Sequence, residues 1–184
     1  DLPGFDLAGV MALKSLEDGK KIKDFIRAQN VKKIVIIGMG YIALEMCEAL
    51  RERGIDVHMV KPRPVFLPWM NRDLASVVKE EVEGHGVGIH MGHKIERIEE
   101  SGKSLKVICP DVILEGQAVL VATGVRPNSE MAAREGLELG PSDSIAVDRT
   151  LKTADENIYS AGDCADAYHV VTGQKTWVPL ALRA

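Results

Sequence analysis

Six consecutive residues, Gly38-Met-Gly40-Tyr41-Ile42-Ala43, match the spacing G-x-G-x-x-G/A, whose chemistry is that of the backbone. The first glycine permits a tight turn, and the second lets the main chain approach a pyrophosphate. The small Ala43 lets the following helix pack closely on a sheet. Free amides and the dipole at a helix start then favour negative charge. The letters alone are weak, but they follow the β-branched run Ile34-Val-Ile-Ile37 and open a helical pattern. Dinucleotide binding is the expectation, with a merely tight strand–helix turn as the alternative.

In such a site an acid about 20 residues further on takes the ribose 2′-hydroxyl. No acid stands there. The sequence reads Val60-Lys61-Pro62-Arg63, and two cations are what a 2′-phosphate would need. Each charge-assisted hydrogen bond would contribute about 1.5–3 kcal/mol. NADPH is therefore favoured over dual use or a preference for NADH. A solvated basic loop is the simpler explanation of the same residues.

The elements that must position these residues follow from the pattern. Ser15-Leu-Glu-Asp18 reads as a capping box, and Ile22, Phe25 and Ile26 as the stripe of a helix reaching about Gln29. Residues 31–60 form a βαβ unit: a strand buried on both faces, a helix carrying Ile42, Met46, Ala49 and Leu50 that stops at Gly54, and a second strand over 56–60. Residues 2–10 read as a loop. Asn71 caps a further helix with Leu74, Ala75, Val78 and Val82 inside, and 87–89 is a third strand. Over 94–123 the period drops to two, with strands at Ile95 and Ile98, 105–108 and 119–121, and turns at Gly102 and Gly116. Asn128 caps a short helix ending near Gly136, and 144–147 is another strand. The fold class is α/β: a Rossmann-like parallel sheet with a β-meander crossover.

Composition sets the outer limits. At 184 residues the chain holds one domain and a little over. Apolar residues make up 46% and charged residues 27%, which excludes disordered and collagen-like chains. The 23 Lys plus Arg against 27 Asp plus Glu give −4, so no overall basic footprint for nucleic acid is present. The longest nearly uncharged apolar run, residues 34–44, falls short of the roughly 20 residues of a membrane span. No membrane span and no secretory leader are expected. Three cysteines cannot make a disulfide scaffold and suit a reducing, cytoplasmic setting. His85, His90 and His93 sit among four glycines with no nearby cysteine pair, so no metal is expected.

Three motifs occur in order: Gly38-Met-Gly-Tyr-Ile-Ala-Leu-Glu45, Ala122-Thr-Gly-Val-Arg-Pro-Asn128, and Thr153-Ala-Asp-Glu-Asn-Ile-Tyr-Ser-Ala-Gly-Asp163. Together they resemble the pyridine nucleotide-disulfide oxidoreductases, flavoproteins of the FAD/NAD(P)-binding domain type. The stretch from Thr172-Gly173 through Trp177-Val-Pro-Leu-Ala181 is most similar to the NADH oxidase, coenzyme A-disulfide reductase and persulfide reductase branch.

That resemblance implies roles. Gly38, Gly40 and the helix start at Tyr41 and Ile42 would hold the nicotinamide dinucleotide pyrophosphate. Tyr41 matches an aromatic that shields the flavin until nicotinamide displaces it; a packed rim tyrosine is the alternative. Glu45 matches an acid near the nicotinamide carboxamide, or is an exposed helix acid. Ala122, Thr123 and Gly124 would pass near the dinucleotide. Asp163 after Gly162 would bond the ribityl chain of FAD, or is a turn aspartate.

The departures are as informative. The family's first FAD fingerprint, its redox cysteine and its C-terminal dimerisation domain have no counterpart in this sequence. Cys47, Cys109 and Cys164 are not placed as the redox cysteine, so no catalytic residue is assigned. Asp1 in place of Met fits a cut-out piece. The expected division is a lead-in segment and helix over 1–30, an NAD(P)H-binding domain over 31–150, and part of an FAD-binding domain over 151–184. The complete protein would be a homodimer passing hydride from NAD(P)H to FAD, then electrons to a small-molecule acceptor: a disulfide, persulfide, peroxide or oxygen. A flavin reductase feeding a redox partner protein, and a non-catalytic nucleotide-binding or redox-sensing module, are the alternatives.

Overall fold

In chain order the strands and helices are β1 (Val10–Ala12), α1 (Leu16–Ala28), β2 (Lys33–Ile37), α2 (Tyr41–Arg51), β3 (Asp56–Lys61), α3 (Arg72–Gly84), β4 (Gly88–Met91), β5 (Arg97–Ser101), β6 (Ser104–Ile108), β7 (Ile113–Gly116), β8 (Ala118–Val121), α4 (Glu130–Arg134), β9 (Ala167–Tyr168) and β10 (Lys175–Thr176). They come from a computed structural model that describes residues 2–179. The chain divides into two units, Asp1–Gly124 and Val125–Ala184.

The first unit is built on a five-stranded parallel sheet in the order β1-β8-β2-β3-β4. A second, antiparallel sheet β5-β6-β7 is the meander. The continuous apolar run of β2 follows from burial on both faces. Ile34 and Ile36 join Ala43, Cys47 and Leu50 of α2, with Val57 and Met59 of β3, in one core. Val35 and Ile37 face the other way, onto Ile98, Leu105, Val107 and Leu114 of the meander.

Local chemistry sets the helix ends. The Asp18 amide donates to Ser15 Oγ (3.1 Å), and the Lys14 amide donates to Asp18 Oδ2 (3.1 Å). This reciprocal cap has aspartate where glutamate is usual. After α2, Gly54 takes a left-handed φ of 71° while its amide closes the last turn on Arg51 O. Asn71 Oδ1 caps α3 by accepting from the Asp73 amide at 2.9 Å.

Several elements differ from the sequence expectation. Residues 10–12, read within or beside a loop, form β1, which pairs with β8 (Val10↔Val119). Ile113–Gly116 is a strand that the pattern did not show, and Gly116 ends it instead of making a turn. The residues at 119–121 belong to the parallel sheet, not the meander. On α3, Ala75 is buried but Leu74 faces solvent. Asn128 does not cap α4; Ser129 stands there without a side-chain cap, its Oγ donating instead to Asp143 O. Residues 144–147 form no named strand, though Ile145 bridges both Leu139 and Ala165.

The second unit also holds the β9–β10 hairpin. Its buried charge is Asp166: Oδ1 accepts from the Val147 amide at 3.0 Å, and Oδ2 lies 3.0 Å from Lys175 Nζ. Among the described residues, no helix is long and apolar enough to cross a membrane.

Candidate dinucleotide site

In the first unit β2 has β3 on one side and β8 on the other, so the chain order reverses at β2/β8. Parallel α/β sheets hold ligands beyond the carboxyl ends of their strands at such a point. Gly38 leaves β2 there. Its amide donates to Val60 O (2.8 Å), while the Ala122 amide donates to Ile37 O (2.8 Å). Gly38 has φ 122°, a conformation that L side chains rarely adopt. A Cβ at this position would overlap the Ala122 carbonyl oxygen. The glycine is required by its neighbours, whatever binds beside it.

Gly40 occupies the N-cap of α2. It offers no side chain, and among the described residues no side-chain hydrogen bond caps the helix start. Nothing lies within 4 Å of where its Cβ would be. The first-turn amides therefore have neither an intrahelical nor a side-chain acceptor, and no acid stands in that turn. Open space, free donors and the positive dipole end coincide, which is what a pyrophosphate requires. Ala43 is fully buried against the sheet. Tyr41 and Ile42 are exposed, and Glu45, one turn after Tyr41, is exposed as well.

The two cations differ in their freedom. Lys61 closes β3, and its Nζ donates to Val65 O at 2.6 Å. Burial pushes its pKa below the ordinary lysine value, and the Arg63 charge adds to this. Arg63 is exposed. Beyond β8, Thr123 and Gly124 are exposed, and Gly124 has φ 112°. In the second unit, Gly162 turns the chain at φ 86°. Asp163 is exposed there, and its backbone carbonyl accepts from Trp177 Nε1 at 2.8 Å.

Thus Gly38, Gly40, Tyr41, Ile42, Lys61, Ala122, Thr123 and Gly124 lie at one end of one sheet, while Gly162 and Asp163 belong to the other unit. Trp69 escaped the sequence reading. Its Nε1 donates to Tyr41 Oη (3.1 Å), and the two ring centroids are 5.5 Å apart. The only signal available was an aromatic in the loop that begins at Lys61.

The remaining reactive side chains are quiet. Cys47 is buried and its thiol is pushed up to about 11, while burial also raises Cys109. Cys164 is half-buried. His58 Nδ1 and His90 Nε2 share a hydrogen bond (3.0 Å), and His93 Nδ1 meets Asp111 Oδ1 (2.8 Å). Burial lowers His90 below an ordinary histidine, helped by His58 and His93. His85 lies apart, its Nδ1 within 2.9 Å of the Glu81 carbonyl. Among the described residues, no group of three or more such side chains is arranged to hold a metal ion.

Comparison with known proteins places the chain in a family. The family model described as pyridine nucleotide-disulphide oxidoreductase matches residues 1–183. An NADH oxidase of Methanocaldococcus jannaschii is 34% identical over 100% of this chain and 41% of its own length. A CoA-dependent NAD(P)H sulfur oxidoreductase of Pyrococcus furiosus is 34% identical over 98% and 41%. A coenzyme A disulfide reductase of Staphylococcus aureus is 30% identical over 97% and 40%.

Among solved structures, reduced CoADR-RHD of Bacillus anthracis superposes with a TM-score of 0.89 at 30% identity, over 100% of this chain and 33% of that one. The water-forming NADH oxidase of Lactobacillus brevis bound to NADH gives 0.89 at 26%, over 100% and 40%. An engineered NADPH oxidase bound to NADPH, a mutant of that oxidase, gives the same values. The chain thus spans about two-fifths of the curated relatives it matches. It belongs to the pyridine nucleotide-disulphide oxidoreductase family, in the branch of the NADH oxidases, coenzyme A disulfide reductases and persulfide reductases.

Proposed function

We propose that this chain is the NAD(P)H-binding portion of an FAD-dependent oxidoreductase. One observation carries the reading: the tight Gly38 turn against Ala122 opens directly onto an uncapped helix start at the sheet's reversal point. The first-turn amides of α2 would hold the pyrophosphate. Tyr41 and Glu45, on successive turns of one helix face, would flank the nicotinamide end. Ala122, Thr123 and Gly124 would line the other side of the groove. When bound, the nicotinamide supplies the hydride, and this chain orients it and keeps the helix start free of competing acids.

Asp163, after the Gly162 turn, would bond the ribityl chain of FAD, and residues 151–184 would form part of the FAD-binding domain. The complete enzyme would be a cytoplasmic homodimer delivering electrons to a disulfide, persulfide, peroxide or oxygen. Cys47 and Cys109 are buried, and that last step would fall to residues outside this chain.

Lys61 and Arg63 favour NADPH. The engineered NADPH oxidase supports the charge argument: among its five substitutions, one removes an aspartate and two introduce arginine. Calorimetric titration of the chain with NADPH and NADH tests both levels. Tenfold or tighter NADPH binding, lost in the Lys61→Glu/Arg63→Ala variant, is the expected result. Equal affinities would keep the site and discard the two cations as selectors. No binding of either nucleotide would overturn the proposal.

A further inference from the structure

The Trp69–Tyr41 pair goes further than the family resemblance, although it rests on the dinucleotide reading of the α2 start. Tyr41 is the first residue of α2, directly after Gly40. Trp69 arrives on the loop that follows Lys61 and carries Arg63. That loop is anchored around it: Phe66 and Leu67 are buried, the Met70 amide donates to Leu67 O (2.9 Å), and Asn71 caps α3. Yet Trp69 is 53% exposed and Tyr41 56%, so the two rings are not held together by core packing. What joins them is a hydrogen bond of 3.1 Å between tilted rings, at an interplanar angle of 50°.

The direction of that bond has a chemical consequence. An indole N–H can only donate, so the phenol oxygen accepts. The Tyr41 O–H proton is then left to donate, and no acceptor takes it among the hydrogen bonds of the described residues. A hydroxyl that accepts one bond is a better donor in the next, because linked bonds polarise one another. The pair therefore sets an oriented O–H donor on the residue that opens α2, the helix whose start already favours an anion.

We infer that Trp69 is a positioning residue that fixes Tyr41 as a hydrogen-bond donor to an acceptor oxygen of the bound dinucleotide. Trp69 need not touch the nucleotide. It acts through Tyr41, and the two residues should behave as one unit in binding.

A double-mutant cycle on the 184-residue chain tests this, with NADPH affinity read by calorimetry for the parent, Trp69→Phe, Tyr41→Phe and the double variant. Thermal melts establish that each variant folds; Phe keeps a ring at both half-exposed positions. Each single change is expected to weaken binding about three- to tenfold, the range of one neutral hydrogen bond. The double variant should bind within about twofold of Tyr41→Phe, because Trp69 has nothing left to position. Losses that multiply, or a Trp69→Phe variant indistinguishable from the parent, would overturn the role of Trp69 while leaving the site intact. A parent chain that binds no NADPH would instead overturn the dinucleotide reading, and this inference with it.

Discussion

Gly38 lies so close to Ala122 that any side chain at position 38 would collide with the Ala122 carbonyl oxygen. Two constraints coincide there, the positive φ and the contact. Gly38→Ala should therefore destabilise the chain by about 1–3 kcal/mol, lowering Tm by about 2–12 °C. Urea and thermal denaturation read this directly, and nucleotide affinity should fall with it. Gly40→Ala makes the contrast: its φ of −90° is ordinary and its surroundings are open, so stability should fall only by the N-cap cost of about 0.5–1 kcal/mol while the approach of a pyrophosphate is obstructed.

Lys61 gives a pH dependence to nucleotide choice. Burial and the Arg63 charge hold its pKa below the ordinary 10.5, so it loses its proton earlier than a free lysine. The preference for NADPH should decline as pH rises through a window centred below that value. Affinity ratios for NADPH and NADH measured across the alkaline range check this. In Lys61→Arg the ratio should stay flat, since guanidinium remains charged.

His90 gives stability an opposite slope. Folding lowers its pKa below the unfolded value of 6.5, through burial and the charges of His58, His93 and Lys33. The unfolded chain therefore binds the proton first. The stability contribution is whole above pH 6.5 and is lost as pH falls through the folded value. Urea midpoints from about pH 7.5 to about 5 should fall more steeply for the parent than for His90→Gln.

The thiols should separate by accessibility. Cys47 and Cys109 are buried with raised pKa values, and Cys164 is half-buried. Thiolate, not thiol, is the reacting form. A disulfide reagent should modify Cys164 in the native chain and reach the other two only after unfolding. Rapid native reaction of Cys47 would contradict the core around α2.

The sequence revealed the βαβ unit better than its surroundings. The β2–α2–β3 unit was legible because its signals are local: a run of β-branched residues, two glycines and a helical period. β1 was not, because Val10–Ala12 is three residues long and becomes a strand only through Val119, Leu120 and Val121 far along the chain. Gly116 looked like a turn. Its missing side chain serves packing instead, since a Cβ would come within 3.1 Å of Lys33 O and 3.2 Å of Ala118 O. Ser144 and Val147 are buried as a strand would be, yet the chain around them satisfies itself by single bridges and the Asp166 carboxylate. Trp69 was invisible because its partner Tyr41 is 28 residues away and meets it only when the start of α2 and the loop after β3 share the same end of the sheet.

The most direct test of the central claim is a map of backbone amide shifts in the labelled chain during titration with NADPH. The pyrophosphate should shift the amides of residues 38–43 most, accompanied by Lys61, Arg63 and residues 122–124. Shifts confined to other regions, or none at saturating nucleotide, would contradict a dinucleotide site at the start of α2.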